Sequence, residues 1–330
     1  MQKIKVGMIN IDLHAQYYAA LLGGFDPLNL RDDPVGRGQA AHFYHYLQYN
    51  DPTQITAPTV DGFELVKFWD PVDKAQAENM VRIFNRENGV ACDTLEEVSE
   101  GVDLLFISDC NEDGSDHLAW ATPGLEKGVP TFVDKPFAYE YADAKEIVRI
   151  AEAHSTPVMS LSILGQTPHV GRFRARLPEV GGPEFGTVKG GGPTMAGHIH
   201  AISMALAIFG SGVASVECMG QTELGHVHLD YGGKADRPSS GVVINCASGA
   251  TYHCSMYASA YGPLGAVHSP AVGDFEFPEG AARILELVKE MVTTARSPVA
   301  VVDMLEGIAV ATAARLAQKE RRRVLLDEVM

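Results

Sequence analysis

Reactive side chains in this sequence of 330 residues concentrate in a few short segments, and the densest is Thr131-Phe132-Val133-Asp134-Lys135-Pro136-Phe137-Ala138. An acid, a lysine and a proline follow a short apolar run there. If the run is a buried parallel strand, Asp134 and Lys135 arrive at its carboxyl end, where open α/β sheets place ligands. The histidines form a second set. His198-x-His200 precedes an apolar helix expected over Ala201–Phe209, and His226-x-His228-x-Asp230 lies on a strand-like run. Alternation along a strand puts His226, His228 and Asp230 on one face. Imidazoles and a carboxylate converging from a strand and a helix start have the chemistry of a divalent-metal site, so His198, His200, His226 and His228 are the candidate ligands. Without a metal, the same residues can hydrogen-bond a polar sugar or pack beside Tyr231.

Asp70 ends a second strand-like run, Phe63–Trp69. A carboxylate there accepts hydrogen bonds from a ribose diol and repels a 2′-phosphate, which favours NAD over NADP. With Pro71 behind it, Asp70 also fits a plain strand-ending turn. The first strand-to-helix turn reads Asn10-Ile11-Asp12-Leu13-His14, with none of the glycines that let backbone approach a diphosphate. Asp12 adds a negative charge at that place.

Elements able to position these groups follow from the pattern. Strands expected at Lys5–Asn10, Phe63–Trp69, Leu104–Ser108, Val129–Val133 and Val158–Leu161 alternate with helices, the signature of a parallel sheet covered on both faces. Thr94-x-x-Glu97 is a capping box before a short helix. From about Gln166 the rhythm changes to a glycine-rich stretch (Gly181–Gly197), a helix, and strands at Val213–Gln221, His226–Tyr231, Gly241–Ala247 and Ala250–Tyr257, the last two joined as a hairpin by Ser248-Gly249. Two helices, Glu279–Ala295 and Asp303–Lys319, close the chain. The expectation is an α/β Rossmann-like N-terminal domain (1–165) plus a C-terminal α+β domain (166–330) with a largely antiparallel sheet for substrate binding and oligomerisation. An insertion at about 25–60 carries four prolines and the aromatic run His42-Phe43-Tyr44-His45-Tyr46. Such a loop is a binding surface, a packed insertion or a subunit contact.

The segment around Lys135 resembles the E-K-P signature of the glucose–fructose oxidoreductase/inositol dehydrogenase (Gfo/Idh/MocA) family, with Asp134 in place of Glu. Asp70-Pro71-Val72 resembles the family's strand-2 acid, and Ser108-Asp109-Cys110-Asn111 through His117 its third cofactor loop. Gly190-Gly191-Gly192 through His200 to Gly210 resembles its G-G-G…H…G segment. The resemblance covers most of the chain. It departs at the glycine fingerprint, and at the acid usually found four residues before the family's histidine, where this chain has Ala196. It implies Lys135 and His200 as the catalytic pair, because hydride transfer from an alcohol needs a base for the hydroxyl proton. For NAD it implies Asn10, Asp12, Leu13, His14, Asp70, Ser108, Asp109, Cys110, Asn111, His117, Asp134, Lys135 and Pro136. Gln166, Arg172, His198 and His228 are the candidates for a sugar, cyclitol or sugar-derived substrate. Two other classes remain open: a redox-neutral or metal-assisted sugar lyase or hydrolase, and a non-catalytic carbohydrate binder on the same fold.

Bulk properties exclude other partners. Lysines and arginines number 26 against 42 acids, for a formal net charge of −16. A field of that sign repels nucleic acid and anionic lipid, and no apolar run is long enough to span a bilayer. Five scattered cysteines without a C-x-x-C pair, and a start without an export-type apolar run, fit reduced thiols in the cytoplasm. An open antiparallel sheet face suits a homo-oligomer, a dimer or tetramer.

Overall fold

The computed structural model describes residues 2–34, 59–109, 113–192, 194–222, 224–246, 256–273 and 276–330. The aromatic run His42–Tyr46, the candidates Cys110 and Asn111, and the Ser248-Gly249 turn lie outside the described residues. Two compact units interleave in sequence: residues 1–134, 146–160 and 281–299 form the first, and 135–145, 161–280 and 300–330 the second.

In the first unit the elements run β1 (Ile4–Ile9), α1 (Leu13–Leu21), α2 (Pro27–Asp32), β2 (Phe63–Trp69), α3 (Lys74–Phe84), β3 (Val90–Ala91), α4 (Leu95–Val98), β4 (Leu104–Ile107), α5 (His117–Glu126), β5 (Thr131–Val133), α6 (Tyr141–Ala153) and β6 (Val158–Ser160). The first five residues of α6 belong to the second unit. The six strands are all parallel, in the order β3-β2-β1-β4-β5-β6. This is the Rossmann order, with its switch point between β1 and β4. Strands β4, β5 and β6 are buried at every residue, as sheets covered on both faces require. Gly7 belongs to this packing, since a Cβ there would lie 2.3 Å from the Val98 carbonyl oxygen. Strand β3 carries no periodicity in the sequence, because a two-residue edge strand is too short to show one. Thr94 caps α4 as expected, but Glu97 reaches back to the Asp93 amide instead of that of Thr94.

In the second unit come α7 (Ile163–Gln166), α8 (Pro168–Arg174), a 3-10 turn (Leu177–Val180), β7 (Phe185–Lys189), α9 (Met195–Phe209), β8 (Ser215–Met219), β9 (His226–Asp230), β10 (Val242–Asn245), β11 (Tyr257–Gly262) and β12 (Gly265–His268). The chain ends with α10 (Phe277–Thr294), α11 (Val301–Glu320) and β13 (Val324–Leu325); most of α10 belongs to the first unit. The sheet order is β12-β11-β7-β10-β9-β8-β13, antiparallel among the described strands except for β7 against β10. Two expectations are corrected, and a third lies outside the described residues. The glycine-rich stretch contains β7, a central strand whose Val188 is buried, although glycines flank it. The expected hairpin falls mostly on residues 247–255, outside the described residues; of the described strands, β10 pairs with β7 and β9, and β11 with β7 and β12. Helix α9 begins at Met195 rather than Ala201, because the Thr194 hydroxyl caps it by accepting the Gly197 amide.

Strand alternation divides that sheet cleanly. Val216, Val227, Leu229, Val242 and Ile244 are fully buried. The alternate residues Thr187, Val243, His226 and His228 are half-buried, and Met219, Tyr257 and Tyr261 are exposed on the open face.

Candidate functional site

At the switch point of the first unit, β1 feeds Asn10 into the turn before α1. Asn10 has φ 61°, a left-handed conformation that asparagine tolerates better than other side chains. In the G-x-G-x-x-G/A spacing of dinucleotide domains, the three special positions fall here on Asn10, Asp12 and Ala15. Asn10 turns the chain. Ala15, fully buried, keeps helix and strand close. Only Asp12 changes the middle position, and its carboxylate accepts hydrogen bonds from the amides of His14 (2.7 Å) and Ala15 (3.3 Å). Sequence reading missed the roles of Asn10 and Ala15; the signal was asparagine's ease in the left-handed region.

Asp70 is a working part of the same turn. Its carboxylate accepts the Ile11 amide at 2.8 Å, and those of Val72 (3.0 Å) and Asp73 (2.8 Å). It is half-buried, and its oxygens retain acceptor capacity for a diol. Ser108, at the end of β4, donates its hydroxyl to the carbonyls of Ile9 (2.9 Å) and Asn10 (3.0 Å), tying the two strand ends together. His14 Nδ1 pairs with Asp134 in a buried contact that crosses from α1 to the end of β5. Asp109 and His117 form a second buried pair, Oδ2 to Nε2 at 3.2 Å. Burial, with Asp134 nearby, pushes the Tyr18 phenol well above its usual range. Leu13 is the first residue of α1 and half-buried.

Lys135 begins the second unit and is 1% exposed. Its Nζ donates to the Ala196 carbonyl of α9 at 3.4 Å. In an α-helix that carbonyl faces the amide of His200, four residues on, so the ammonium reaches the turn that carries His200. Pro136 follows Lys135 and is buried. His200, itself buried, shares a 2.7 Å hydrogen bond between Nδ1 and the Ser162 hydroxyl, and its ring stacks on Phe277 with centroids 6.2 Å apart. When Nδ1–H is the donor to Ser162, the lone pair lies on Nε2, the tautomer a general base requires. Ser162 carried a faint sequence signal as a polar residue just past strand β6.

His198 behaves differently. Residues two apart on a helix point about 200° away from each other, and His198 meets Cys246, Nδ1 to Sγ at 3.3 Å. Its Nε2 is buried with no hydrogen-bond partner among the described residues. Burial, then the Arg315 charge, pushes its pKa down to about 3, and burial pushes the Cys246 thiol up to about 12. His198 is therefore a neutral core residue, not an exposed substrate ligand. Folded His198 binds its proton only far below the unfolded pKa near 6.5, so stability is complete above about 6.5 and falls as pH drops towards 3. The expected slope is at most about 1.4 kcal/mol per pH unit. Urea unfolding of the wild type and His198→Gln at pH 7, 6 and 5 checks this, with the variant losing less stability on acidification.

The remaining candidates scatter. Gln166 ends α7 and is half-buried, and Arg172 is exposed on α8 beside His169. His228 donates Nε2–H to the Ser240 carbonyl at 3.0 Å, on the open face of the sheet together with His226. The proposed metal set is corrected accordingly. His198 and His200 diverge around their helix, and His226 and His228 alternate with the buried Val227 and Leu229 that line the opposite face. Among the described residues, no group of three or more His, Cys, Asp or Glu side chains could hold a metal ion.

The first unit has a six-stranded parallel sheet of Rossmann order, with an acid after β2 and Asp-Lys-Pro after β5, and the second unit has a mixed sheet of its own. Residues 35–161 match the model of the Gfo/Idh/MocA family, described as an oxidoreductase family with an NAD-binding Rossmann fold. The resemblance carried by Asp70, Ser108–His117 and Asp134-Lys135-Pro136 is thereby borne out, and NAD is the cofactor of the matched family. The match begins after the turn that holds Asp12. No curated protein sequence matches the chain. Among solved structures, an oxidoreductase from Agrobacterium radiobacter in complex with NAD+, L-tartaric acid and magnesium superposes with a TM-score of 0.69 at 15% identity, covering 100% of both chains. GenD2 from gentamicin A biosynthesis, in complex with NAD, gives 0.70 at 14% identity, covering 98% of this chain and 97% of that one. Myo-inositol 2-dehydrogenase from Lactobacillus plantarum gives 0.68 at 13%, covering 98% and 99%. At such identity these likenesses are of fold.

The residues fit a dinucleotide unequally. Asp70 offers acceptors to a ribose diol, and Asn10 and Ala15 supply the turn and the close packing. The amides at the start of α1 are engaged by Asp12.

Proposed function

We propose that the chain is an NAD-dependent oxidoreductase acting on a sugar, cyclitol or sugar derivative, with Lys135 and His200 as its acid–base pair. The observation that carries this is the Lys135 ammonium on the Ala196 carbonyl, beside the helical turn of His200, in a chain whose residues 35–161 match an NAD-binding oxidoreductase family. NAD held by the first unit would supply an acceptor for the hydride of a secondary alcohol. His200 takes the hydroxyl proton, with Ser162 holding its ring in orientation. Lys135, fixed by covalent continuity at the end of β5, stabilises the negative charge developing on that oxygen. A set of neutral polyols, incubated with NAD while absorbance of the reduced nicotinamide is followed, tests the assignment. Turnover of a polyol without nicotinamide reduction overturns it in favour of redox-neutral chemistry.

The division near residue 165, a cytoplasmic setting and a homo-oligomer formed through the open sheet face belong to the same proposal. Tyr257, Tyr261 and Met219 are exposed on that face, and no described helix is long and apolar enough to cross a membrane. Asp70 sets the cofactor preference. Its carboxylate repels a 2′-phosphate, the segment Trp69–Lys74 holds no arginine, and the Lys74 ammonium is already paired with Asp93. NAD is expected to bind at least about tenfold more tightly than NADP, the equivalent of roughly 1.4 kcal/mol. Titration with both reduced forms, read by nicotinamide fluorescence, checks it; equal affinities reduce Asp70 to a turn residue.

A further inference from the structure

Resting on the NAD reading, we propose that Asp12 is an internal competitor of the cofactor: its carboxylate occupies the amides at the start of α1 that a dinucleotide's diphosphate would take, and so sets a low affinity for the cofactor. Three observations carry this.

Of the three positions that shape a diphosphate turn, Asn10 and Ala15 preserve the backbone geometry, by the left-handed φ of 61° and by full burial. Asp12 alone introduces a side chain with charge. That side chain is engaged, because one oxygen accepts from both His14 and Ala15 at 2.7 and 3.3 Å. A further amide of this turn, that of Ile11, is held by Asp70 at 2.8 Å. The positive end of α1 is thus met by the chain's own carboxylate, and α1 carries no other acid in its first turn.

A diphosphate approaching this turn meets like charge and satisfied donors. Binding requires Asp12 to rotate away, so the amides it releases and the anion it removes both enter the affinity. The ribose end is unaffected, since Asp70 follows β2 and makes its own contacts. Affinity for ligands containing a diphosphate is therefore reduced, and affinity for adenosine alone is not. Serine at position 12 keeps a capping oxygen without the charge, so Asp12→Ser retains the helix start while freeing the site. Asp12→Asn, also a good cap, removes the charge at nearly constant shape.

The test is equilibrium binding of NADH, ADP-ribose and adenosine to the wild type, Asp12→Ser and Asp12→Asn, by calorimetry and by nicotinamide fluorescence, with circular dichroism to verify folding. Both variants are expected to bind NADH and ADP-ribose about 10- to 100-fold more tightly than the wild type, with adenosine unchanged. Equal NADH affinity in all three proteins overturns the role of Asp12 and leaves the NAD reading standing. Tighter binding of adenosine as well overturns it too, since the gain would not be specific to the diphosphate. Absence of NADH binding in all three removes both this proposal and the reading beneath it.

Discussion

Replacing Lys135 by methionine lowers kcat by about 10²–10³ while leaving the protein folded. The size follows from the task. A single fixed charge at an oxygen that becomes negative in the transition state is worth about 3–4 kcal/mol in a site shielded from water, and 4.1 kcal/mol is three decades in rate. Lys135 is 1% exposed, so its ammonium acts among fixed dipoles such as the Ala196 carbonyl at 3.4 Å. Methionine matches the length of the stem and fills the same volume. Methionine removes the cost of burying the ammonium, and the Ala196 carbonyl keeps its helical partner, the His200 amide, so the melting temperature is expected to stay within a few degrees. Alanine is the poorer probe, since it also opens a cavity in the second unit. Arginine keeps the charge but not the compact point geometry, so Lys135→Arg recovers little. Steady-state rates and thermal melts of the methionine variant decide the matter. A kcat near the wild-type value would remove the catalytic role of Lys135.

Why this residue was readable from sequence, and others were not, has a physical basis. Asp134-Lys135-Pro136 follows an apolar strand directly, so local pattern alone places it at a sheet edge. Asp70 is legible for the same reason, as are the parallel strands, whose continuous apolar runs are characteristic of sheets covered on both faces. Partners brought together by the fold are not legible. His14 and Asp134 are 120 positions apart and meet only because α1 packs over the strand ends. His200 and Ser162 are 38 positions apart and meet only because α7, which Ser162 precedes, packs against α9 within the second unit. The motif His198-x-His200 misleads for a different reason: read beside a helix it suggests a chelating pair, but inside α9 the two rings diverge. Strand β7 is hidden by the glycines around it. Gly190, next after β7, stays glycine for packing, because a Cβ would lie 2.3 Å from the Cys246 sulfur. A composition signal that reads as loop is here close contact between a strand end and a neighbouring side chain.

His200→Asn is expected to lower kcat by about 10²–10⁴, the usual contribution of a positioned acid–base group. Asparagine is smaller than histidine and can still meet the Ser162 hydroxyl, so the local hydrogen bond at 2.7 Å need not be lost with the proton acceptor. The predicted signature separates catalysis from structure. The wild-type rate should fall as pH drops and the imidazole gains a proton, and this acid limb should vanish in the variant, leaving a low rate that no longer depends on that titration. Ser162→Ala is the companion. It leaves the imidazole in place but frees its ring, so it is expected to cost about tenfold in kcat and to retain the acid limb. Dinucleotide affinity should be unchanged in both variants, because Asp70 and the α1 turn belong to the first unit and His200 to the second. If His200→Asn instead weakened NADH binding and left kcat intact, its role would be structural, and the proton acceptor would have to be sought elsewhere. If the acid limb persisted in His200→Asn at a reduced rate, another titrating group would be the base. The pH profile therefore carries the assignment, since loss of rate alone is common to a missing base and a disturbed site.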